Sequence, residues 1–243
     1  MSQKRVKMLD ILRGGAMLLV IAYHLLYDLA FVKQVKLPLW LTPEEPFVEA
    51  VHTGFLWVLF AVSGICSGYS RNLLRRGVWL SVLGFAVTVV TVLWIPDFTI
   101  VFGVLSGFGA CMIVTALCEK ALNVIPWPLL TLLSGILWLI FSDFTEGVLH
   151  LGIRDVPLTL PNVGYLYPLG IVQDSFYTVD YFPILPWLFM FWVGRGLYRP
   201  IAEGNFPKWF YAAHCAPLEW VGRHSLLIYA LHQPLLLAAL MFL

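Results

Sequence analysis

Charge is scarce in this chain. Of 243 residues only 15 are Lys or Arg and 14 Asp or Glu, whereas 60% are apolar. With a mean hydropathy of +0.84, that scarcity excludes a soluble globular domain and implies a polytopic membrane protein. The net charge of +1 carries no information about partners, because the charges are segregated along the chain; no nucleic-acid partner is expected. Cysteine is sparse too. Cys66, Cys111, Cys118 and Cys215 are scattered, with no CxxC pair and no thiol cluster, so they are expected to act as packing residues. Metal-ligand spacing such as HxxxH is lacking, and no metal is expected. Internal repeats and low-complexity tracts are absent, and residues 1–243 are expected to form a single domain. Lys4, Arg5 and Lys7 precede an apolar stretch too long for a cleavable signal peptide.

Long apolar runs are what the chain does have. Seven membrane spans are predicted, at roughly 8–31, 47–70, 77–94, 99–118, 122–141, 182–199 and 223–242. The breaks carry explicit stop signals: Asn72 and Arg75-Arg76-Gly77, Pro96, Pro126 with Pro128, and Pro200. The expected fold is therefore an all-α membrane bundle, with ten Trp and ten Tyr suited to interfacial belts. Ser142 to Asp180, with Arg154, Asp155, Pro157, Pro161 and Pro168, is too polar and proline-rich to span. It is expected to be a long outer loop between spans 5 and 6, of the length usual for a lid or binding loop.

Orientation follows from the basic residues. With the N-terminus inside, the inner flanks hold Lys4, Arg5, Lys7, Arg13, Arg71, Arg75, Arg76, Lys120, Arg195, Arg199, Lys208 and Arg223. The outer flanks hold only Lys33, Lys36 and Arg154. Twelve against three predicts a cytoplasmic N-terminus in a plasma membrane. Small residues recur at helix-packing intervals, Ser63/Ser67, Gly64/Gly68 and Gly103/Gly107.

The opening span is unusual for its ionisable residues. Asp10, Arg13, His24 and Asp28 lie within one apolar stretch, where such side chains face a bundle interior or a wet cavity. Arg13 to His24 is about three helical turns, and Asp28 is one turn further, so all four can share a face. His24 and Asp28 are expected in the outer half, with His52, Asp97 and Asp180 at the outer ends of other spans. In the last span Ser225, Tyr229 and His232 share a face, followed by Gln233. Asp10, Arg13, Arg71, Arg75, Arg76, Arg195 and Arg223 fall in the inner half. A cationic inner mouth suits a phosphorylated ligand. An imidazole with a carboxylate one turn away suits general-base or nucleophilic work on a hydroxyl or amine. His150, His214 and His224 fall in loops or at a flank and are expected to be incidental.

These residues also carry a resemblance. Arg5 to Leu29, R-V-K-M-L-D-I-L-R-G-G-A-M-L-L-V-I-A-Y-H-L-L-Y-D-L, resembles the first-helix signature of small bacterial relatives of the catalytic domain of heparan-α-glucosaminide N-acetyltransferase. F-A-V-S-G-I-C-S-G-Y-S-R (Phe60 to Arg71), Y-L-Y-P-L-G, D-Y-F-P-I-L-P-W (Asp180 to Trp187) and G-R-H-S-L-L-I-Y-A-L-H-Q-P (Gly222 to Pro234) are similar to its later motifs. The resemblance implies a membrane acyltransferase taking an acetyl group from cytoplasmic acetyl-CoA to a sugar, or another small-molecule or glycan acceptor, at the outer face. It points to Asp10, Arg13, His24, Asp28, Asp180, His232 and Gln233. Ser106 stands where many relatives carry His.

The combined expectation assigns catalysis to His24, Asp28 and His232. Substrate binding is assigned to Asp10, Arg13, His52, Arg71, Asp180, Arg223, Tyr229 and Gln233. The residues alone leave two other readings open. One is a proton-coupled transporter using the intramembrane His and Asp as a relay; it lacks an inverted repeat. The other is a b-type haem protein with His24, His52 and His232 as axial candidates. The partners expected are acyl-CoA, the acceptor and the lipid bilayer, with homo-oligomerisation left open.

Overall fold

The computed structural model describes residues 5–242; Lys4, counted above among the inner cations, lies outside the described residues. The chain is 69% helical. Its α-helices are α1 (Lys7–Tyr27), α2 (Pro46–Ser67), α3 (Leu73–Trp94), α4 (Val104–Leu117), α5 (Glu119–Val124), α6 (Trp127–Phe141), α7 (Ile184–Ala202), α8 (Lys208–Ala212), α9 (Ala216–Arg223) and α10 (Ser225–Leu240). Among the described residues, four helical stretches are long and apolar enough to cross a membrane: Lys7–Val32, Leu39–Ser67, Leu73–Trp94 and Trp127–Glu146. With 14 and 16 residues, α4 and α10 fall short of the roughly 20 that a straight crossing needs.

Local chemistry sets the ends. Asn72 caps α3 by accepting the Arg75 backbone N–H at 3.1 Å. The run predicted as one span at 122–141 is broken because Pro126 disfavours helical backbone in the residue before it; Ile125 is extended, and α6 starts afresh at Trp127. The span expected at 99–118 is helical only from Val104. At the other end of the chain, α9 stops at Arg223, and α10 follows after His224 leaves the helical conformation.

The chain divides into two compact units. The first comprises residues up to Val62 and from Gly204 onward, and is organised by α1, which packs along α9 and α10. The α1–α9 contact is glycine-mediated. A Cβ on Gly14 would lie 2.1 Å from the Leu218 carbonyl oxygen, and one on Gly222 would lie 1.9 Å from that of Asp10. Leu9, Met17, Val20, Phe55, Leu59 and Phe60 are buried in this unit.

The second unit, Ser63–Glu203, pairs α3 with α4 and α6 with α7. Its seams are built of small residues: Gly77, Gly84 and Thr91 are the buried positions of α3, spaced by two turns. Gly84 meets Ser106, and Gly77 meets Gly109 and Ile113. Large apolar side chains of α3 such as Trp79, Val82, Phe85 and Val89 are exposed instead, the arrangement expected where lipid is the surrounding solvent. Ser106 is thus a packing residue in this seam.

Residues 142–180 carry the departure from an all-helical chain. β1 (Val148–Leu151) and β2 (Arg154–Pro157) form an antiparallel hairpin beside the end of α6, with His150 opposite Asp155. Gly152, at φ +74°, makes the turn. His150 Nε2 donates to Asp143 and Nδ1 to Asp155, each at 2.6 Å. Both ring nitrogens therefore act as donors, the imidazolium form. Asp143 first, and then Asp155, raise its pKa above the ordinary histidine value.

Two outcomes follow from this packing. Gly222→Ala should destabilise the protein by on the order of 1–3 kcal/mol, read as a lower thermal midpoint in detergent. Gly15→Ala, with nothing within 4 Å of its added Cβ, should be neutral. For the hairpin, a raised folded pKa means that the His150 contribution is complete below about pH 6.5 and is lost as pH rises through the raised value. Amide-exchange protection of residues 148–157, corrected for intrinsic rates, should fall across that interval. His150→Gln should abolish the pH dependence.

Candidate functional site

The polar residues of α1 and α10 meet inside the first unit. His24 uses its Nδ1–H to bond the Val20 carbonyl one turn back, at 2.9 Å. His232 does the same on α10, donating Nδ1–H to the Tyr229 carbonyl at 2.6 Å. In a neutral imidazole the nitrogen that is not protonated keeps its lone pair. Both histidines therefore present Nε2 as acceptor, base or nucleophile. Their rings stand edge to face, 4.8 Å between centroids, and Tyr229 lies 5.1 Å from His232. His52 of α2 joins through Tyr23, whose ring stacks on it at 4.0 Å.

After Tyr27 the backbone widens into a single π turn, Asp28–Val32, closed by the Lys33 N–H to the Asp28 carbonyl at 2.9 Å. Such insertions recur at functional positions. Here the turn holds Asp28 at 1% exposure. Gln233 donates from its amide to both Asp28 oxygens, at 2.9 and 3.0 Å. The carboxylate one turn from His24 therefore makes its hydrogen bonds to α10, and no hydrogen bond joins it to the imidazole. Its influence on His24 is electrostatic.

Two buried acceptors in this cluster have no partner among the described residues: His232 Nε2 and Gln233 Oε1. Buried polar atoms in native proteins are nearly always paired, so each of these acceptors is open to a donor such as water or a bound group. Gln233 is oriented by its amide bonds to Asp28, which leave only its carbonyl oxygen for an incoming group.

The basic end of the unit is more neutralised than a list of cations suggests. Arg5 grips Asp10 through two bonds of 2.6 and 2.8 Å. Arg13 lies 3.8 Å from Asp10 and donates to the Gly222 carbonyl at 3.4 Å. Lys7 is 3.9 Å from Glu219, which also accepts from His214 and from the Cys215 N–H at 3.2 Å. Burial alone would raise the Glu219 carboxyl; the hydrogen bonds from His214 and Cys215, with Lys7 nearby, hold it below its ordinary range. Arg223 is exposed at the end of α9.

Among the residues singled out from sequence, His24, Asp28, His52, Tyr229, His232 and Gln233 form one connected cluster, and Asp10, Arg13 and Arg223 belong to the α1–α9 region of the same unit. Arg71 and Asp180 belong to the second unit. Arg71 is exposed beyond α2. The Asp180 carboxylate accepts the Val104 N–H at 3.2 Å at the start of α4. Sequence reasoning passed over Arg5 as the fork on Asp10, Tyr23 as the plate under His52, and the His214–Glu219 pair. A hint for Arg5 lay in its position a little over one turn from Asp10. His214 and Glu219 lie five residues apart across a proline, and nothing in the sequence marked them as partners. No group of three or more His, Cys, Asp or Glu among the described residues could hold a metal ion.

The family model described as "Heparan-alpha-glucosaminide N-acetyltransferase, catalytic" matches residues 5–234. No curated protein and no solved structure gives a significant match.

Gln233→Leu should leave the Asp28 carboxylate buried without a donor and lower stability by about 1–3 kcal/mol. In an Asp28→Asn background the same substitution should cost less. A double-mutant cycle on thermal unfolding measures the difference.

Proposed function

Since the chain belongs to the heparan-α-glucosaminide N-acetyltransferase catalytic family, a family of membrane acetyltransferases, we propose that it transfers an acetyl group from acetyl-CoA to a sugar hydroxyl or amine at the outer face. The observation that supports this reading best is the facing of His24 and His232. Each has its Nδ1–H given to its own helix, and each keeps a lone pair on Nε2.

In the proposed reaction, His24 Nε2 accepts the acceptor's proton as the new bond to the acetyl carbon forms. The carbon–sulfur bond breaks, and the departing CoA thiolate is protonated in turn. The alternative in which His24 first carries the acetyl group itself uses the same lone pair. Asp28 stabilises the imidazolium through space, and Gln233 fixes Asp28. His232 Nε2 and Gln233 Oε1 accept hydrogen bonds from the acceptor, whose hydroxyl or amine hydrogens are the donors those buried atoms lack. His52 and Tyr229 orient the acceptor, while Arg13, held by Asp10, and Arg223 serve the CoA phosphates. This layout needs a cytoplasmic N-terminus, the orientation that the basic-residue count supports.

Purified protein given radiolabelled acetyl-CoA and amino-sugar acceptors should yield acetylated product, and His24→Ala should slow transfer by about 10²–10⁴-fold, the usual worth of a general base. Normal turnover by that variant would remove His24 from the chemistry. Uptake of solute by proteoliposomes without CoA would replace the enzyme with a carrier.

A further inference from the structure

Within the second unit, Arg195 is a guanidinium only 8% exposed, and the structure gives it few partners. Its Nη2 donates to Asn123 Oδ1 at 3.1 Å. One turn later on α7, the exposed Arg199 donates from Nη2 to the Asn123 carbonyl at 2.7 Å. A guanidinium offers five N–H donors, and each arginine uses one on the same residue of α5.

The electrostatics are equally incomplete. Two like charges at i and i+4 on one helix face repel. Among the described residues the carboxylate within ion-pair distance of Arg195 is Glu119, 3.6 Å from its Nη2 and itself 59% exposed, so the group of two arginines and this glutamate keeps one net positive charge. Tyr198 backs Arg195, with the guanidinium carbon 5.3 Å from the ring centroid. Arg195, Arg199, Asn123 and Tyr198, with Leu122 and Trp127, line a small part-open cleft. It has room for about one water-sized atom, the size of a single phosphate oxygen.

We propose that this cleft binds a phosphate group: one oxygen enters toward Arg195, and the others are forked by Arg199. The anion would relieve the repulsion between the two arginines and add charge-assisted hydrogen bonds to their remaining N–H donors. Glu119 is a weak internal competitor that the phosphate displaces. The phosphate can arrive on a membrane-lipid headgroup or on a soluble ester, and the chemistry of recognition is the same. The site stands apart from the acyl-transfer reading, and turnover is not its readout.

The test uses the full-length protein. Thermal unfolding is followed in neutral detergent with inorganic phosphate. It is followed in parallel in bilayer discs of phosphatidylcholine with or without phosphatidic acid. Saturable stabilisation by inorganic phosphate assigns a soluble anion; stabilisation by phosphatidic acid alone assigns a lipid. In either case Arg199→Gln, altering an exposed side chain, should weaken binding about tenfold, and Glu119→Gln should strengthen it about threefold. Arg195→Lys keeps the charge but loses the fork, and should weaken binding as well. Circular dichroism verifies that each variant is folded. Stabilisation by neither probe, or equal affinity in Arg199→Gln and the parent protein, overturns the proposal.

Discussion

The hydrogen bond from His24 Nδ1–H to the Val20 carbonyl governs what the α1–α10 cluster can do. A histidine in an apolar helix has two nitrogens to satisfy, and the nearest acceptor is its own helix's backbone. With Nδ1–H spent there, the tautomer of the neutral ring is set, and its remaining lone pair points away from its own backbone. His232 solves the same problem in the same way. Two helices thus present the same chemical face to each other. Neither ring can donate from Nε2 while Nδ1 keeps its proton, so the two cannot hydrogen-bond and pack edge to face instead. The bond that stabilises each imidazole is also the one that makes it basic.

The scaffold that holds this arrangement follows from the solvent it implies. Where lipid is as apolar as leucine, burying leucine gains little, and close backbone approach does the work. Gly14 and Gly222 bring α1 against α9 with carbonyl oxygens where a Cβ would be. Gly77, Gly84 and Gly109 do the same between α3 and α4. On α3 the bulky side chains turn outward, so the pattern of size on that helix is inverted relative to a water-soluble protein. The rigid α1–α9 contact fixes the helix on which His24 and Asp28 sit, and α1 also packs along α10, so an error of one residue in that register would separate the site.

Much of this was legible from residue types and spacing. His24 and Asp28 stood out because ionisable groups deep in an apolar run must have partners, and His232 because it shares a face of the last helix with Ser225 and Tyr229, with Gln233 next to it. The partner choice was not legible. Spacing of four on one helix suggested His24 with Asp28, but the π turn at Asp28 widens the backbone there, and a glutamine 205 positions away supplies both of its hydrogen bonds. Local periodicity cannot register that contact. The break at Pro126 was foreseeable from the proline itself, yet overall hydropathy masked it, because both sides are apolar. The Gly14–Gly222 contact was likewise invisible: neither glycine repeats at four residues within its own helix, so only the fold pairs them.

Charge compensation explains why the orphan atoms are informative. Asp10 is satisfied by Arg5 and Arg13, and Glu219 by His214, Lys7 and the Cys215 amide. This chain therefore has the means to close its buried polar groups, and does so at one end of the unit. At the other end, two adjacent residues leave acceptors open, His232 Nε2 and Gln233 Oε1. Both lack a donor; neither lacks an acceptor. A thioester has no hydrogen to offer them, whereas a hydroxyl or an amine does. On the proposed acyl-transfer reading, that asymmetry suits the α10 side of the cluster to the group that receives the acetyl.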